Sequence, residues 1–407
     1  MRLLTPDMKQ VNTDGGVRGM KKAVMYGAGK IGRGFIGKLF VDSGLDVCFL
    51  EIKRELVDEI NARGKYPVRF VTNESSEDHI VGPVRALYSL TDEAVEEIAH
   101  CDIMATAVGV NSLPDIAPII AKGAVMRMER AGSPLNIIIC ENQLGAEKLM
   151  RGWIYACLTD AQRAWADKNL GLVEASIGRT VPPVTPEMLA EDKLLIVTES
   201  YAQLPVDREG IRGDIPELVG LIPCSPFEYY LKRKLFVCNG AHALCAYLGY
   251  EMGYEYLWQA MADPRIYAAV EASMRTSAAA LINCYGEGFR EDLEAHVPDL
   301  LSRFQNRALG DTVARVGADP ARKLRRNDRI VGAALFAIEQ GVDPSPIVRG
   351  ILAALKFDRA EDITAPEVQK TLREQGIDAV MERFMGLKSD EPLYRAIRER
   401  YQGEQGT

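Results

Sequence analysis

Basic charge is in deficit in this chain: 49 lysines and arginines face 57 aspartates and glutamates, a net charge of −8. A general nucleic-acid binder, which needs a basic footprint, is disfavoured. Long apolar runs are also missing. The longest, residues 330–338, falls well short of the roughly 20 residues that cross a bilayer. Residues 1–19 have no apolar stretch of the kind that marks a secretory signal. They are expected to be a disordered extension, with folded structure starting at Met20 and the protein in the cytoplasm. Histidine is scarce, at four residues, and no C-x-x-C pair occurs. No Cys/His cluster has zinc-ligand spacing, so no metal is expected. The eight cysteines lie mostly inside apolar runs and are expected to be reduced, buried thiols.

What the chain does have is length and apolar content. At 407 residues and 47% hydrophobic it can bury a sizeable core, divided over two or three domains of about 150 residues. From Lys21 short apolar runs alternate with amphipathic stretches. Strands are expected at 21–26, 46–52, 80–88, 102–108, 136–140 and 171–176. Helices are expected at 31–43, closed by Gly44, at 54–63, closed by Gly64, and at 91–100 with Thr91 as N-cap. Such alternation, with strands apolar enough to be buried on both faces, predicts a doubly wound parallel sheet. Near Pro223 the pattern changes. Ser225-Pro226-Phe227-Glu228 reads as a capping box, and only helical patterns follow. The fold class is therefore α/β, a Rossmann-type doubly wound parallel sheet domain followed by an all-α C-terminal domain. Residues 20–225 form the first part and 226–407 the second.

The run from Gly27 to Gly32 spells G-x-G-x-x-G after the first strand and at the mouth of a helix. Such glycines serve a tight turn, close approach of a pyrophosphate to the backbone, and close helix–strand packing. Gly27, Ala28, Gly29, Lys30, Ile31, Gly32, Arg33 and Gly34 are the expected cofactor-binding turn. Glu51, 19 residues past Gly32 at the end of the second strand, is placed to bind ribose hydroxyls. Its carboxylate repels a 2′-phosphate, so NAD is expected over NADP despite Lys53 and Arg54. Residues 32–38 also match a P-loop skeleton. Leu39 stands where a Ser or Thr is needed, however, and the stretch lies inside a helix, so that reading is rejected.

The helix from Pro226 carries apolar residues around its whole circumference from Leu235 on, so its second half is expected to be buried, and against that background Lys234, Asn239 and His242 stand out. At about 100° per residue these fall at about 0°, 140° and 80°, on one side. Polar groups on a buried helix are penalised unless they have a task. A desolvated lysine loses part of its pKa and serves as a general base near neutrality. An asparagine amide stabilises an oxyanion.

Lys234-x4-Asn239-x2-His242 resembles the signature of the polyol-specific long-chain, zinc-independent mannitol dehydrogenase family. Residues 22–40, Thr106-Ala107-Val108-Gly109, 133–142, 233–249 and 303–329 are similar as well, so the likeness runs from Met20 to about Asp358. The compact length suits the family's sugar-phosphate branch. The resemblance implies a site between two domains, with Lys234 as catalytic base, Asn142 and Asn239 as oxyanion donors, His242 beside them and Val108 at the cofactor. It departs at Gly178, where the family pattern has Asp. Between Arg315 and Arg329 lie six cations against Asp319 and Asp328. Planar guanidiniums suit a phosphate monoester, so Arg322, Lys323 and Arg329, with Arg303, are the substrate-binding candidates. The expected activity is NAD-dependent interconversion of a polyol phosphate and a ketose phosphate, most closely mannitol 1-phosphate and fructose 6-phosphate, by a monomer or homodimer. Reduction of a free sugar or a hexuronate by the same family is the alternative. A sensor that binds NAD and sugar without hydride transfer is a further one. Gly178 motivates the sensor; Lys234, Asn239 and His242 argue against it.

Overall fold

Alternation along the first strand decides how the sheet is buried. Ala23 and Met25 enter one apolar core, Val24 and Tyr26 another, because successive side chains of a strand point to opposite faces. The computed structural model describes residues 20–143, 145–182 and 185–405; the expected extension at 1–19 lies outside them. Its strands are β1 (Lys22–Tyr26), β2 (Asp46–Glu51), β3 (Tyr66–Val71), β4 (Ser76–Val81), β5 (Val84–Tyr88), β6 (Ile103–Thr106), β7 (Leu135–Ile139), β8 (Leu170–Glu174), β9 (Ile196–Thr198), β10 (Leu204–Asp207) and β11 (Leu221–Cys224). Six of them form one sheet in the order β5-β2-β1-β6-β7-β8, every pair parallel. The strand order reverses between β1 and β6, the switch point at which such sheets hold ligands.

Helices Asp92–His100, Leu113–Glu129 and Ala146–Ala156 cover one face. Thr91 caps the first, its Oγ1 accepting from the Ala94 amide at 3.4 Å. Helix Arg54–Arg63 ends at Gly64 in the left-handed conformation, as its sequence predicts. The other face is covered by the helical run 32–42 and by a second sheet, β4-β3-β9.

Two expectations are corrected. The single strand at 80–88 is two, β4 and β5, in different sheets. Gly82-Pro83 separates them, and proline has no amide to donate to a ladder. Nor does Ser225 cap a helix. Helix Phe227–Lys232 starts with Pro226 at the N-cap position, so Ser225 lies one residue outside it and its hydroxyl bonds Glu209 instead. Of the cysteines, Cys157 and Cys284 are exposed, each on the outer side of a helix end.

After β11 the described chain is helical, with a separate core. At its centre is helix Ala241–Glu251, in which Ala243–Gly249 are all buried. No helix among the described residues is long and apolar enough to cross a membrane.

The turn glycines differ in what surrounds them. A Cβ on Gly32 would lie 1.9 Å from the Gly27 carbonyl oxygen, whereas one on Gly29 would meet nothing within 4 Å. Gly32→Ala is therefore expected to cost at least about 1–3 kcal/mol through overpacking, and Gly29→Ala well under 1 kcal/mol. Thermal unfolding of the two variants checks the difference.

Candidate active site

Lys234 and Asn239 sit in a wide helical segment, Arg233–Gly240, of π type. It continues from Phe227–Lys232 and into Ala241–Glu251 without a break. Bonding from residue i to i+5 brings Asn239 over Lys234, closer than the α-helical 140° separation would allow. Gly240 makes the fit possible, since a Cβ there would stand 2.6 Å from the Arg329 carbonyl oxygen.

The Lys234 Nζ donates to Asn142 Oδ1 at 3.1 Å. Asn142 follows β7, so this bond ties the helical half to the end of the sheet. Burial, joined by the nearby Arg329 charge, lowers the Lys234 pKa to about 8. With its oxygen committed to Lys234, Asn142 retains its amide N–H groups as donors and lines the second cavity. Among the described residues the Asn239 amide has no partner. Next to Asn142, the buried Glu141 accepts from Thr106 Oγ1 at 2.8 Å and the Val108 amide at 3.0 Å. Burial raises its pKa, opposed by those hydrogen bonds.

Two cavities meet at Lys234 and Asn239. Gly178, His242, Trp258, Arg303, Asn306 and Asp311 are prominent in the first. The second is walled by Glu141, Asn142, Glu174, Arg322, Arg325, Asp328 and Arg329. In the first, His242 Nε2 lies 3.2 Å from Asp311 Oδ2, and its ring packs on Phe304. Burial pushes the Asp311 pKa up, but His242 and Arg315 outweigh it and hold the carboxyl below its ordinary value. Arg303 is committed to protein partners: its Nε and Nη2 reach Glu199 at 2.7 and 2.5 Å and Nη2 also donates to the Gly178 carbonyl. Its guanidinium stacks 4.8 Å from the Tyr201 ring centre. Tyr201 also explains why residue 178 has no side chain, since a Cβ there would approach its ring to 2.8 Å.

The remaining candidates divide. Gly27, with φ +97°, makes the tight turn, and Gly29 and Lys30 are exposed beside half-buried Ile31. The Ala28 amide donates to Glu51 Oε2 at 2.9 Å, and Glu51 Oε1 accepts from the amides of Ile52 and Lys53. Arg33 and Gly34 face inward. The Arg33 side chain bonds the carbonyls of Ala28 and Leu194, and Gly34 packs on Ile196. Arg54 stacks on Tyr88 at 3.8 Å. Of the basic cluster, Arg322 and Arg329 wall the second cavity, but Lys323 does not. It is 5% exposed and its Nζ donates to the Ala318 carbonyl. Sequence reasoning missed Glu141, Glu199, Tyr201, Asn306 and Asp311, because the contacts that place them at the site, to Thr106, Arg303, Arg303, Val71 and His242, come from far along the chain. Among the described residues no group of three or more His, Cys, Asp or Glu is placed to hold a metal.

Residues 21–220 match the family model of the mannitol dehydrogenase Rossmann domain, and residues 227–402 that of the mannitol dehydrogenase C-terminal domain. This chain belongs to the mannitol dehydrogenase family. Among solved structures it is similar to Pseudomonas fluorescens mannitol 2-dehydrogenase in ternary complex with NAD and D-mannitol. The TM-score is 0.72 and identity 16%, over 95% of this chain and 92% of that one. A substrate-free D-sorbitol dehydrogenase gives a TM-score of 0.73 and 17% identity, over 89% of this chain and 95% of that one. At such identities the likeness is one of fold, and it extends over both halves of the family's architecture.

Breaking the ion pair that holds Arg303 leaves a buried guanidinium short of acceptors. Glu199→Ala is expected to lower stability by about 3–5 kcal/mol, more than Glu199→Gln, which keeps an acceptor oxygen. Equilibrium denaturation measures both.

Proposed function

We propose that this member of the mannitol dehydrogenase family is an NAD-dependent oxidoreductase that interconverts a polyol phosphate and a ketose phosphate. The specific reaction is mannitol 1-phosphate + NAD = fructose 6-phosphate + NADH, that of a mannitol-1-phosphate 5-dehydrogenase. One observation carries the reading: a lysine with its pKa lowered to about 8 stands where two cavities meet, between two asparagine amides.

The glycine-rich turn fits a dinucleotide. Gly29 leaves open space for a pyrophosphate, and Glu51 keeps acceptor capacity beyond its three amide bonds for ribose hydroxyls. NAD bound there supplies the hydride acceptor. The work of the chain's own residues is proton transfer and charge stabilisation. The neutral Lys234 amine takes the hydroxyl proton as the C–H electron pair departs, and the C–O bond becomes a carbonyl. Asn142 and Asn239 donate to the oxygen while it carries negative charge. His242, paired with Asp311, stands beside the polyol hydroxyls. No step calls for a metal. Arg322 and Arg329 are the substrate-side cations of this reading; Arg303 lines the sugar-side cavity with its charge held by Glu199, and Lys323 is turned inward.

Oxidation of NADH with fructose 6-phosphate, fructose, fructuronate and tagaturonate as acceptors tests the function. The phosphate ester is expected to exceed the others by 10- to 100-fold in kcat/KM, about the worth of one charge-assisted contact. NADPH should be at least about tenfold poorer than NADH. Equal rates with fructose and fructose 6-phosphate would transfer the assignment to a free-polyol enzyme, preference for a uronate to a hexuronate reductase, and binding without turnover to a sensor.

Lys234→Ala is expected to lose roughly 10³-fold or more in kcat, with wild-type activity surviving EDTA. Because only the neutral amine accepts a proton, polyol oxidation should rise with pH through about 8 and then level off. Ketose reduction, which needs the ammonium, should fall over the same range. Steady-state pH profiles in both directions check the sign.

A further inference from the structure

We infer that the second cavity is an anion subsite and that Arg325, at its wall, is the residue that takes the substrate's phosphate. The inference rests on the sugar-phosphate reading above and adds to it the place and the residue.

The ion pairs of the cluster carry the argument. Arg315 is spent on Asp311. Arg322 bonds Asp319 at 2.7 Å and lies 3.5 Å from Asp328. Arg329 bonds Asp328 at 2.7 Å, Arg326 bonds Glu391 at 2.9 Å, and Lys323 is buried on a backbone carbonyl. Among the described residues, Arg325 is the cation of this stretch whose side chain has no such partner. It is exposed and on the cavity wall. That wall sets the guanidiniums of Arg322, Arg325 and Arg329 beside three carboxylates, of which Glu141 is bonded to Thr106 and Val108, Glu174 to the Glu147 amide and Asp328 to Arg322 and Arg329, leaving Arg325 unpaired. A guanidinium without a carboxylate keeps its full fork of donors for a planar or tetrahedral oxyanion.

In the first cavity the arginines are already bonded: Arg303 by a bidentate carboxylate and Arg179 by the Tyr201 and Gly34 carbonyls, and the Asp311 carboxylate lines the same space. A dianion entering it would meet guanidiniums whose donors are committed. Hydroxyls suit it, since His242, Asn239 and Asn306 line it with polar side chains. A chain molecule with hydroxyls at one end and a phosphate at the other thus has a matched wall for each, with the reacting carbon at Lys234 and Asn239, where the cavities join.

Two measurements test the subsite. In NADH-saturated enzyme, which fills the glycine-rich turn, inorganic phosphate is the probe, its binding followed by calorimetry. Wild type should bind it, and Arg325→Ala should bind it at least tenfold more weakly. Arg307→Ala, which removes a cation stacked on Trp258 outside this cavity, should match wild type. With sugars, Arg325→Ala should raise KM for fructose 6-phosphate by 10- to 100-fold, a loss at least tenfold larger than any seen with fructose, and Arg325→Lys should recover part of it. Equal phosphate binding by wild type and Arg325→Ala overturns the subsite, as does a loss that follows Arg307. Failure of the sugar-phosphate reading is a separate result: wild type would then reduce fructose as well as its phosphate, whatever calorimetry shows at Arg325.

Discussion

The organisation of the site depends on drawing one half-buried ammonium group partly out of water. Lys234 is desolvated on a helix that continues into the buried centre of the C-terminal core, and its hydrogen bond to Asn142 spans the two halves of the molecule. Desolvation penalises the charged form, which brings the amine's pKa down to about 8, near neutrality. Three features sustain that burial. The helix is apolar around Lys234, Gly240 lets the Arg329 backbone lie against it, and the sheet delivers an asparagine oxygen to the same point. Without the asparagine, the buried amine would lack an acceptor.

The wide turn Arg233–Gly240 adds register to this. An α-helix would splay the two polar residues, whereas π-type bonding stacks them, so that both face both cavities. Such segments cost regular hydrogen bonding and are found mostly at functional sites. A second π-type segment, Gly32–Gly37, follows the glycine-rich turn. There the buried glycines let the helical run lie close to the sheet and to Ile196. Both wide segments occur where the chain must approach another backbone closely.

Charge is distributed with equal economy. Around the first cavity, Arg303 with Glu199 and His242 with Asp311 form closed pairs. The second ties helix Ala241–Glu251 to Asp311 within the C-terminal half, and the first ties the segments after β8 and β9 to the helix end at Arg303 across the interface of the halves. Asn306 strengthens that seam by donating to the Val71 carbonyl. Polarity there is structural as much as functional, because the buried Arg303 and Glu199 charges compensate each other from distant parts of the chain.

Local features were legible in the amino-acid sequence. The tight turn at Gly27, the helix Arg54–Arg63 with its Gly64 terminus, the Thr91 cap and the change from strand to helix after Cys224 all follow from residues within a few positions of one another. So does the placing of Lys234, Asn239 and His242 on one helix. Their physics is that of backbone conformation, capping and periodicity, which act over one or two turns. The break at Gly82-Pro83 was also local, but an apolar run on either side concealed it. Tertiary structure alone decided which charges are available. Arg303 and Lys323 read from sequence as free cations, yet one is bound by Glu199, 104 residues away, and the other is folded onto a carbonyl. It also decided that Tyr201 fills the space beside Gly178, and that Asn142 meets Lys234 across 92 residues. Desolvation and ion pairing depend on distance in space, and periodicity along a chain carries no record of that distance.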